Sequence, residues 1–424
     1  MYDVLIIGGG AAGFFTAINV GCQDPTLKIA VLERGKEVLS KVKVSGGGRC
    51  NVAHAQFVPA ELVLNYPRGE KELLGPFHTF CSGDTMAFFE ERGVPLKIEE
   101  DGRIFPVSDS SQTIVDCFMD EVHRLGIQLL RNSSVTDIFK NGPSWTVRSI
   151  HKEYRAEKIV VATGSNPRIW QILQGLGHRI EPPVPSLFTF NIKDDRISNI
   201  PGISTNARVE VIGIGESDPK ITITLKSRLP QAISLESEGP LLITHWGMSG
   251  PAILKLSAWG ARILNQCNYH FKIRVNWLPE YHQEGILGQI MEVKEVEAKK
   301  TVLRTHVFAI PKRLWANLVK ASGISDNTKW ADVGKQQLIE LASQLSGSEF
   351  QVNGKSTFKE EFVTAGGVEL SEVNFKTFES KLCSGLFFAG EVMNVDAVTG
   401  GFNFQNAWTG GHIVAKAITS GKDG

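Results

Sequence analysis

Two kinds of hydrophobic pattern alternate along the chain and divide it. Val4-Leu-Ile-Ile7 is an unbroken apolar run, the pattern of a short strand covered on both faces. A helix-compatible stretch from Phe14 to Val20 follows, then a second strand-like run, Lys28 to Leu32. A helix is predicted from an Asp84 cap to a Gly93 stop, and an amphipathic one from Ser111 to Leu125, ended by Gly126. Gly102 to Pro106 reads as extended. Ile127–Leu130, Ser134–Phe139, Ser144–Ser149 and Glu157–Val161 read as strands. The character changes at Pro182-Pro183-Val184-Pro185. Beyond it Phe188–Ile192, Arg208–Ile212 and Ile221–Leu225 succeed one another without helices, which predicts an antiparallel, sandwich- or barrel-like section. A strand ending at Thr244, a helix over Ala252–Gln266 and a strand over Tyr269–Trp277 come next, and Pro279 to Leu345 is helical. Strands return at Glu361–Val368 and Gly385–Ala389, and a last helix runs to about Ile418.

The strand–helix–strand opening and its late return predict an α/β, Rossmann-like nucleotide-binding domain interrupted by an insertion. The expected boundaries are 1–189 for the first part, 190–278 for a β-rich, barrel-like insert, 279–352 for a helical subdomain and 353–424 for the second part.

Composition narrows the class. Lys plus Arg and Asp plus Glu balance at 45 each with pI near 7.1. No global basic field attracts nucleic acid, and no nucleic-acid partner is expected. No apolar run approaches a membrane span, so no membrane partner is expected either. Six cysteines without a C-x-x-C pair argue against a redox disulfide or a zinc cluster and suit a reducing cytoplasm. The N-terminus enters a strand directly and carries no secretory leader pattern.

The chemistry begins in the glycines. Gly8-x-Gly10-x-x-Gly13 follows the first strand. Gly8 allows the tight turn, Gly10 the close approach of a diphosphate, and Gly13 close packing of helix on strand; Ala11 and Ala12 lie at the helix N-terminus that would face the anion. Glu33, with Arg34 behind it, ends the second strand, where an acid can take the ribose hydroxyls of an adenosine. Ser45-Gly46-Gly47-Gly48-Arg49-Cys50-Asn51 is a second glycine stretch able to approach a flat or phosphorylated ligand. Arg49 is a fixed cation there, and Cys50 is read either as a thiol with a lowered pKa or as buried packing. Ala162-Thr163-Gly164 is a small-residue turn after a strand. Gly390-Glu391 ends a late strand, where an acid can receive ribityl hydroxyls, and the helix after Gly400-Gly401-Phe402-Asn403 can point N–H groups at the pyrimidine edge of a flavin. Val135 completes the expected cofactor-binding set. No metal site is expected. His245 is the candidate for a substrate-side polar or proton-transfer residue, against a structural histidine at a strand end.

In this order the motifs, with Thr244-His-Trp-Gly-Met-Ser-Gly-Pro251 and Thr364-Ala-Gly-Gly-Val368 added, resemble the YhiN/BaiN-like (aminoacetone-oxidase-like) flavoproteins over nearly the whole chain. The resemblance implies a glutathione-reductase-type FAD fold split by a β-barrel-like insert and a helical subdomain. It places Gly8–Gly13 on the diphosphate, Glu33 on the adenosine ribose, and Thr163-Gly164 on the adenine half. Ser45–Asn51 and Gly400–Asn403 would lie along the flavin, and Glu391 near the ribityl chain. Relatives often carry Asp at Glu391 and Tyr at Phe402, so a role needing a phenol is not expected of Phe402.

The activity expected is that of an FAD-dependent oxidoreductase acting on a small organic substrate between the FAD domain and the insert, with FAD doing the hydride chemistry. Gly213-Ile-Gly215 lies in an all-strand region and is discounted as a second dinucleotide site. NAD(P)H is therefore expected only as a transient electron donor. An oxygen-dependent oxidase of amines or amino ketones is the alternative. From other classes, a flavin-bound RNA-associated protein or a non-catalytic redox sensor fits the same fold.

Overall fold

In the computed structural model, the described residues are 1–214, 235–356 and 363–420. The expected strand Ile221–Leu225, the Gly215 end of the discounted glycine pair and the first residues of Glu361–Val368 lie outside them. The chain forms two compact units, Met1–Val184 with Lys359–Gly424, and Pro185–Phe358.

The first unit is built on five parallel strands: β1 (Tyr2–Ile7), β2 (Ile29–Leu32), β3 (Gln128–Leu130), β4 (Glu153–Val161) and β5 (Leu386–Phe388). Their order across the sheet is β3-β2-β1-β4-β5, with Val4 opposite both Ile29 and Lys158 and Phe388 opposite Val161. All five carboxyl ends therefore lie on one edge, where open α/β sheets bind ligands. The unbroken apolar runs of β1 and β2 follow from this placement, since the Val4–Ile7 and Ile29–Leu32 side chains are all buried. Helix α1 (Ala11–Gln23) is buried from Ala12 to Gly21, as expected of a helix apolar all round. It packs against α2 (Phe402–Thr419), with Phe15 and Trp408 rings 5.1 Å apart. Gly411 permits that closeness, because a Cβ there would stand 3.0 Å from the Thr16 hydroxyl. Two residues from opposite ends of the chain are thus held side by side.

Local signals shift by a few residues in places. The helix expected to begin at Asp84 spans Ser82–Glu90, and the Asp84 carboxylate accepts a hydrogen bond from the Cys81 backbone N–H at 2.7 Å. Asp84 is thus the third helical residue reaching back to the cap position. A helical segment that the glycines concealed covers Ser40–Gly48, with non-helical dihedrals at Ser45, Gly46 and Gly47.

Among the described residues the second unit holds an antiparallel seven-stranded sheet, ordered Ser348–Asn353, His270–Asn276, Ser204–Ile214, Glu236–Thr244, Gly247–Ser249, Thr189–Asn191, Lys355–Ser356. The helices Gln283–Val296, Lys312–Ala321 and Lys335–Gly347 share one continuous core with it, from Phe190 and Val275 to Ile290, Trp315 and Leu341. The helical segment expected as a subdomain of its own belongs to the same compact unit, because its apolar faces have the sheet to cover.

Candidate functional site

The carboxyl edge of the parallel sheet gathers most of the expected cofactor residues. At the turn after β1, Gly8 has φ +119°, and a Cβ on it would come within 2.3 Å of the Ala162 carbonyl oxygen. A Cβ on Gly13 would stand 1.9 Å from the Gly8 oxygen. These two glycines are required by packing. Gly10 differs: a Cβ there would meet no heavy atom within 4 Å. Gly10 is also the N-cap of α1, with no capping side chain and no acid in the first turn. An open glycine before an uncapped helix N-terminus is a cradle for a diphosphate. The cofactor that the motifs imply fits this edge.

Glu33 is held in advance of any ligand. Its carboxylate accepts hydrogen bonds from the Gly9 and Gly35 N–H groups at 2.9 and 2.7 Å, and Leu39 N–H donates to Gly9 O at 2.8 Å. Arg34 beside it is exposed. Val135 opens the strand Val135–Asn141, tied to the end of β2 by the Ser133 N–H bond to Glu33 O at 2.8 Å. On the other flank, Ala162 N–H donates to Ile7 O at 2.8 Å, and Thr163 leads to Gly164 at φ +60°. A Cβ on Gly164 would lie 3.7 Å from Glu391 Oε2, which brings the turn after β4 to the acid after β5. Gly390 packs on Ala12, 3.0 Å from a Cβ placed on it.

The glycine stretch 45–51 divides its labour. Gly47 and Gly48, like Gly10, face open space. Gly46 is filled in by Asn51 and Phe105, and Asn51 Oδ1 accepts from Ile104 N–H at 3.3 Å. Ser45 Oγ donates to Val42 O at 2.8 Å. Arg49, expected to meet an anion, is engaged by carboxylates of the protein: Nη1 donates to Glu99 Oε1 at 2.6 Å and to Asp109 Oδ1 at 3.3 Å, with the guanidinium 3.9 Å over the Phe105 ring. Of the two readings of Cys50, packing is the one realised. The residue is fully buried, and burial pushes its thiol up to about 12, opposite to the lowering its arginine neighbour suggested. Iodoacetamide at mildly alkaline pH is expected to modify the exposed Cys22 and leave Cys50 intact in the native protein. Peptide mapping that finds Cys50 labelled as fast as Cys22 would contradict this assignment.

At the start of α2, Gly401 has φ +93° and lies so close to Ala53 that a Cβ would meet its carbonyl at 2.5 Å. A Cβ on Gly400 would meet the Phe402 ring at 2.8 Å. Asn403 closes its own loop, exchanging bonds of 3.0 and 3.1 Å with the Ala397 backbone.

Four partners of this edge were not visible in the sequence. Lys41 Nζ donates to Glu391 Oε2 at 2.9 Å, so the acid expected for the ribityl chain already carries a cation. His54 stacks on Phe402 at 4.7 Å. The Tyr66 hydroxyl donates to Phe402 O at 2.6 Å. Arg68 makes a two-point ion pair with the buried Asp396. Each joins residues more than three hundred positions apart, and no local pattern reports such a pair. Lys41 alone left a trace, a cation one helical turn ahead of Ser45.

His245 lies in the second unit, exposed at the turn between Glu236–Thr244 and Gly247–Ser249. The Thr244 hydroxyl beside it is buried without a hydrogen-bond partner. Among the described residues no group of His, Cys, Asp or Glu could hold a metal ion, and no helix is long and apolar enough to cross a membrane.

The family model described as HI0933-like protein Rossmann domain matches residues 2–417. The chain belongs to this HI0933-like family. Its open glycine cradle and family place it among FAD-dependent oxidoreductases. This HI0933-like chain is 27% identical over 429 residues to a ribosomal RNA dihydrouridine synthase of Haemophilus influenzae, covering 98% of both chains. It is 28% identical to the Escherichia coli enzyme of the same name, covering 99% of both. A 3-dehydro-bile acid delta(4,6)-reductase of Clostridium scindens is 24% identical, over 98% of this chain and 99% of that one. Among solved structures, a 3-ketosteroid-delta4-(5alpha)-dehydrogenase from Rhodococcus jostii RHA1 shares the fold with TM-score 0.51 at 12% identity, covering 99% and 96%. The expectation of no nucleic-acid partner stands against the names of the first two relatives, which carry ribosomal RNA. Net charge measures the average surface, whereas RNA recognition needs only a local one.

Proposed function

We propose that this protein is an FAD-dependent reductase that adds two hydrogens across the C5–C6 double bond of a uridine in ribosomal RNA. One observation carries the reading: end-to-end similarity at 27 and 28% to two proteins named for that reaction. The name of the third relative also describes reduction of an unsaturated ring system, which favours reductase over oxidase for the whole group. Bound FAD supplies the hydride. The chain's part is to seat the diphosphate on the open edge at Gly10 and the α1 N-terminus, to hold Glu33 ready for the adenosine ribose, and to fix the Gly400–Asn403 turn through Tyr66 and His54. NAD(P)H would supply the electrons, giving NAD(P)⁺ and the dihydro product with one proton taken from solvent. His245, exposed on its turn, is the candidate for a substrate-side proton-transfer residue.

The test is direct. Purified holoprotein is incubated with NADPH and unmodified ribosomal RNA transcripts, and the RNA is digested for mass spectrometry. A uridine heavier by two hydrogens, absent without NADPH, is the expected result. Transcripts unchanged while NADPH still bleaches the flavin would overturn the ribosomal substrate and leave a reductase of other molecules.

A further inference from the structure

We propose that Lys41 is a positioning residue of the cofactor seat: its ammonium cancels the charge of Glu391, so that an anionic diphosphate can enter beside a carboxylate. This role rests on the FAD seat of the proposed reading and is independent of its RNA substrate.

Three turns of the first unit converge at the open glycine. The Gly8 turn abuts Ala162, and a Cβ on Gly164 would stand 3.7 Å from Glu391 Oε2. Gly390, the residue before Glu391, packs on Ala12, in the first turn of α1 and just past Gly10. Glu391 is therefore next to the helix N-terminus that can face an anion. A carboxylate there can receive sugar-chain hydroxyls, but it repels a diphosphate. The two requirements conflict.

The chain treats its two acids at this edge differently. Glu33 takes the Gly9 and Gly35 N–H groups, dipoles that stabilise its charge in place. Glu391 takes no such N–H group among the described residues; its partner is the Lys41 ammonium at 2.9 Å. An unusual backbone delivers that lysine. Leu39 has φ +57°, a left-handed conformation that few leucines adopt. Its buried side chain and the bond from its N–H to Gly9 O at 2.8 Å hold it there. Val42 is fully buried on the other side. Lys41 lies between these two anchors and reaches across to the acid beyond β5. Folding stability does not account for the pair. The Lys41 side chain is 56% exposed and that of Glu391 16%, and an ion pair so open to water contributes little to the fold. Its effect falls instead on the next charge to arrive beside Glu391.

FAD release is measured by serial dilution of the full-length holoprotein, read by the fluorescence of freed flavin. The variants are Lys41→Met, Lys41→Arg, Glu391→Gln and Lys41→Met with Glu391→Gln. Lys41→Met is expected to weaken FAD binding about 10-fold or more, the size of a like-charge repulsion in a partly screened site. Its circular dichroism and thermal midpoint as apoprotein should be those of the unaltered chain, and Lys41→Arg should restore affinity. Raising the salt should tighten FAD binding to Lys41→Met, because salt screens the carboxylate from the diphosphate. In the Glu391→Gln background the amide keeps an acceptor oxygen without the charge, and Lys41→Met should then cost nothing further. A loss equally large in that background would overturn this role and assign the ammonium to the diphosphate itself. Unaltered affinity in Lys41→Met would also overturn it and leave the FAD seat standing. Unaltered protein that retains no flavin would remove the seat, and this role with it.

Discussion

Replacing Gly10 with Val should yield a folded protein that has lost its yellow colour. The backbone at Gly10 has φ −96°, which a β-branched residue adopts without strain. Its Cβ would meet nothing in the protein, so the apoprotein has no reason to unfold. The isopropyl group instead fills the space that the diphosphate must enter. FAD affinity is expected to fall at least a hundredfold, about 2.7 kcal/mol, while the apoprotein's thermal midpoint stays where it was. Gly13→Val is the informative contrast. Its Cβ would fall 1.9 Å from the Gly8 carbonyl oxygen, a clash that removes fold and cofactor together. Flavin absorbance after gel filtration, read beside circular dichroism, separates the two outcomes. A Gly10→Val protein that remains yellow would mean that the diphosphate lies elsewhere.

Arg68→Met should be the most damaging substitution of a charged residue in the first unit. Asp396 is fully buried and the Arg68 side chain is only 13% exposed. The guanidinium meets the carboxylate through Nε and Nη2, the two-point geometry that makes such pairs specific. Removing the arginine leaves a carboxylate in the interior without its counter-charge, which costs about 3–5 kcal/mol. The same pair holds the backbone bridge between Arg68 and Asp396, immediately before the Ala397–Asn403 loop. FAD retention should fall along with stability. Urea unfolding measures the first and flavin content the second. A loss below about 1 kcal/mol would show that the pair contributes little against its alternatives in water.

These two expectations draw on different kinds of information. The expectation for Gly10 comes from the sequence because the diphosphate motif is local: strand, turn and helix N-terminus occupy adjacent residues, and the spacing of three glycines carries their geometry. The expectation for Glu33 rests on the same kind of local signal, at the end of the next strand. The Arg68–Asp396 pair was invisible, because it joins residues from two distant loops. Arg49 shows the limit of residue type: it suggested anion binding, yet Glu99, Asp109 and Phe105 claim the guanidinium. For Cys50 the sequence left a reactive thiol and buried packing both open, and burial, which raises the thiol, decides for packing. Residue type proposes a chemistry, and the neighbours decide whether it is available.

By itself the sequence determined the parallel order of strand and helix at the N-terminus, the dinucleotide turn, the change of pattern after Pro185 and the return to the first unit near the C-terminus. Each is set by periodicity and backbone freedom over fewer than about twenty residues, the range in which local sterics and burial pattern act. Only the tertiary structure decided which glycines are open and which are filled, that Lys41 meets Glu391, that Tyr66 and His54 fix Phe402, and that the helices of the second unit share the core of its sheet. Those facts depend on which distant surfaces are pressed together, and close packing settles that for the whole chain at once.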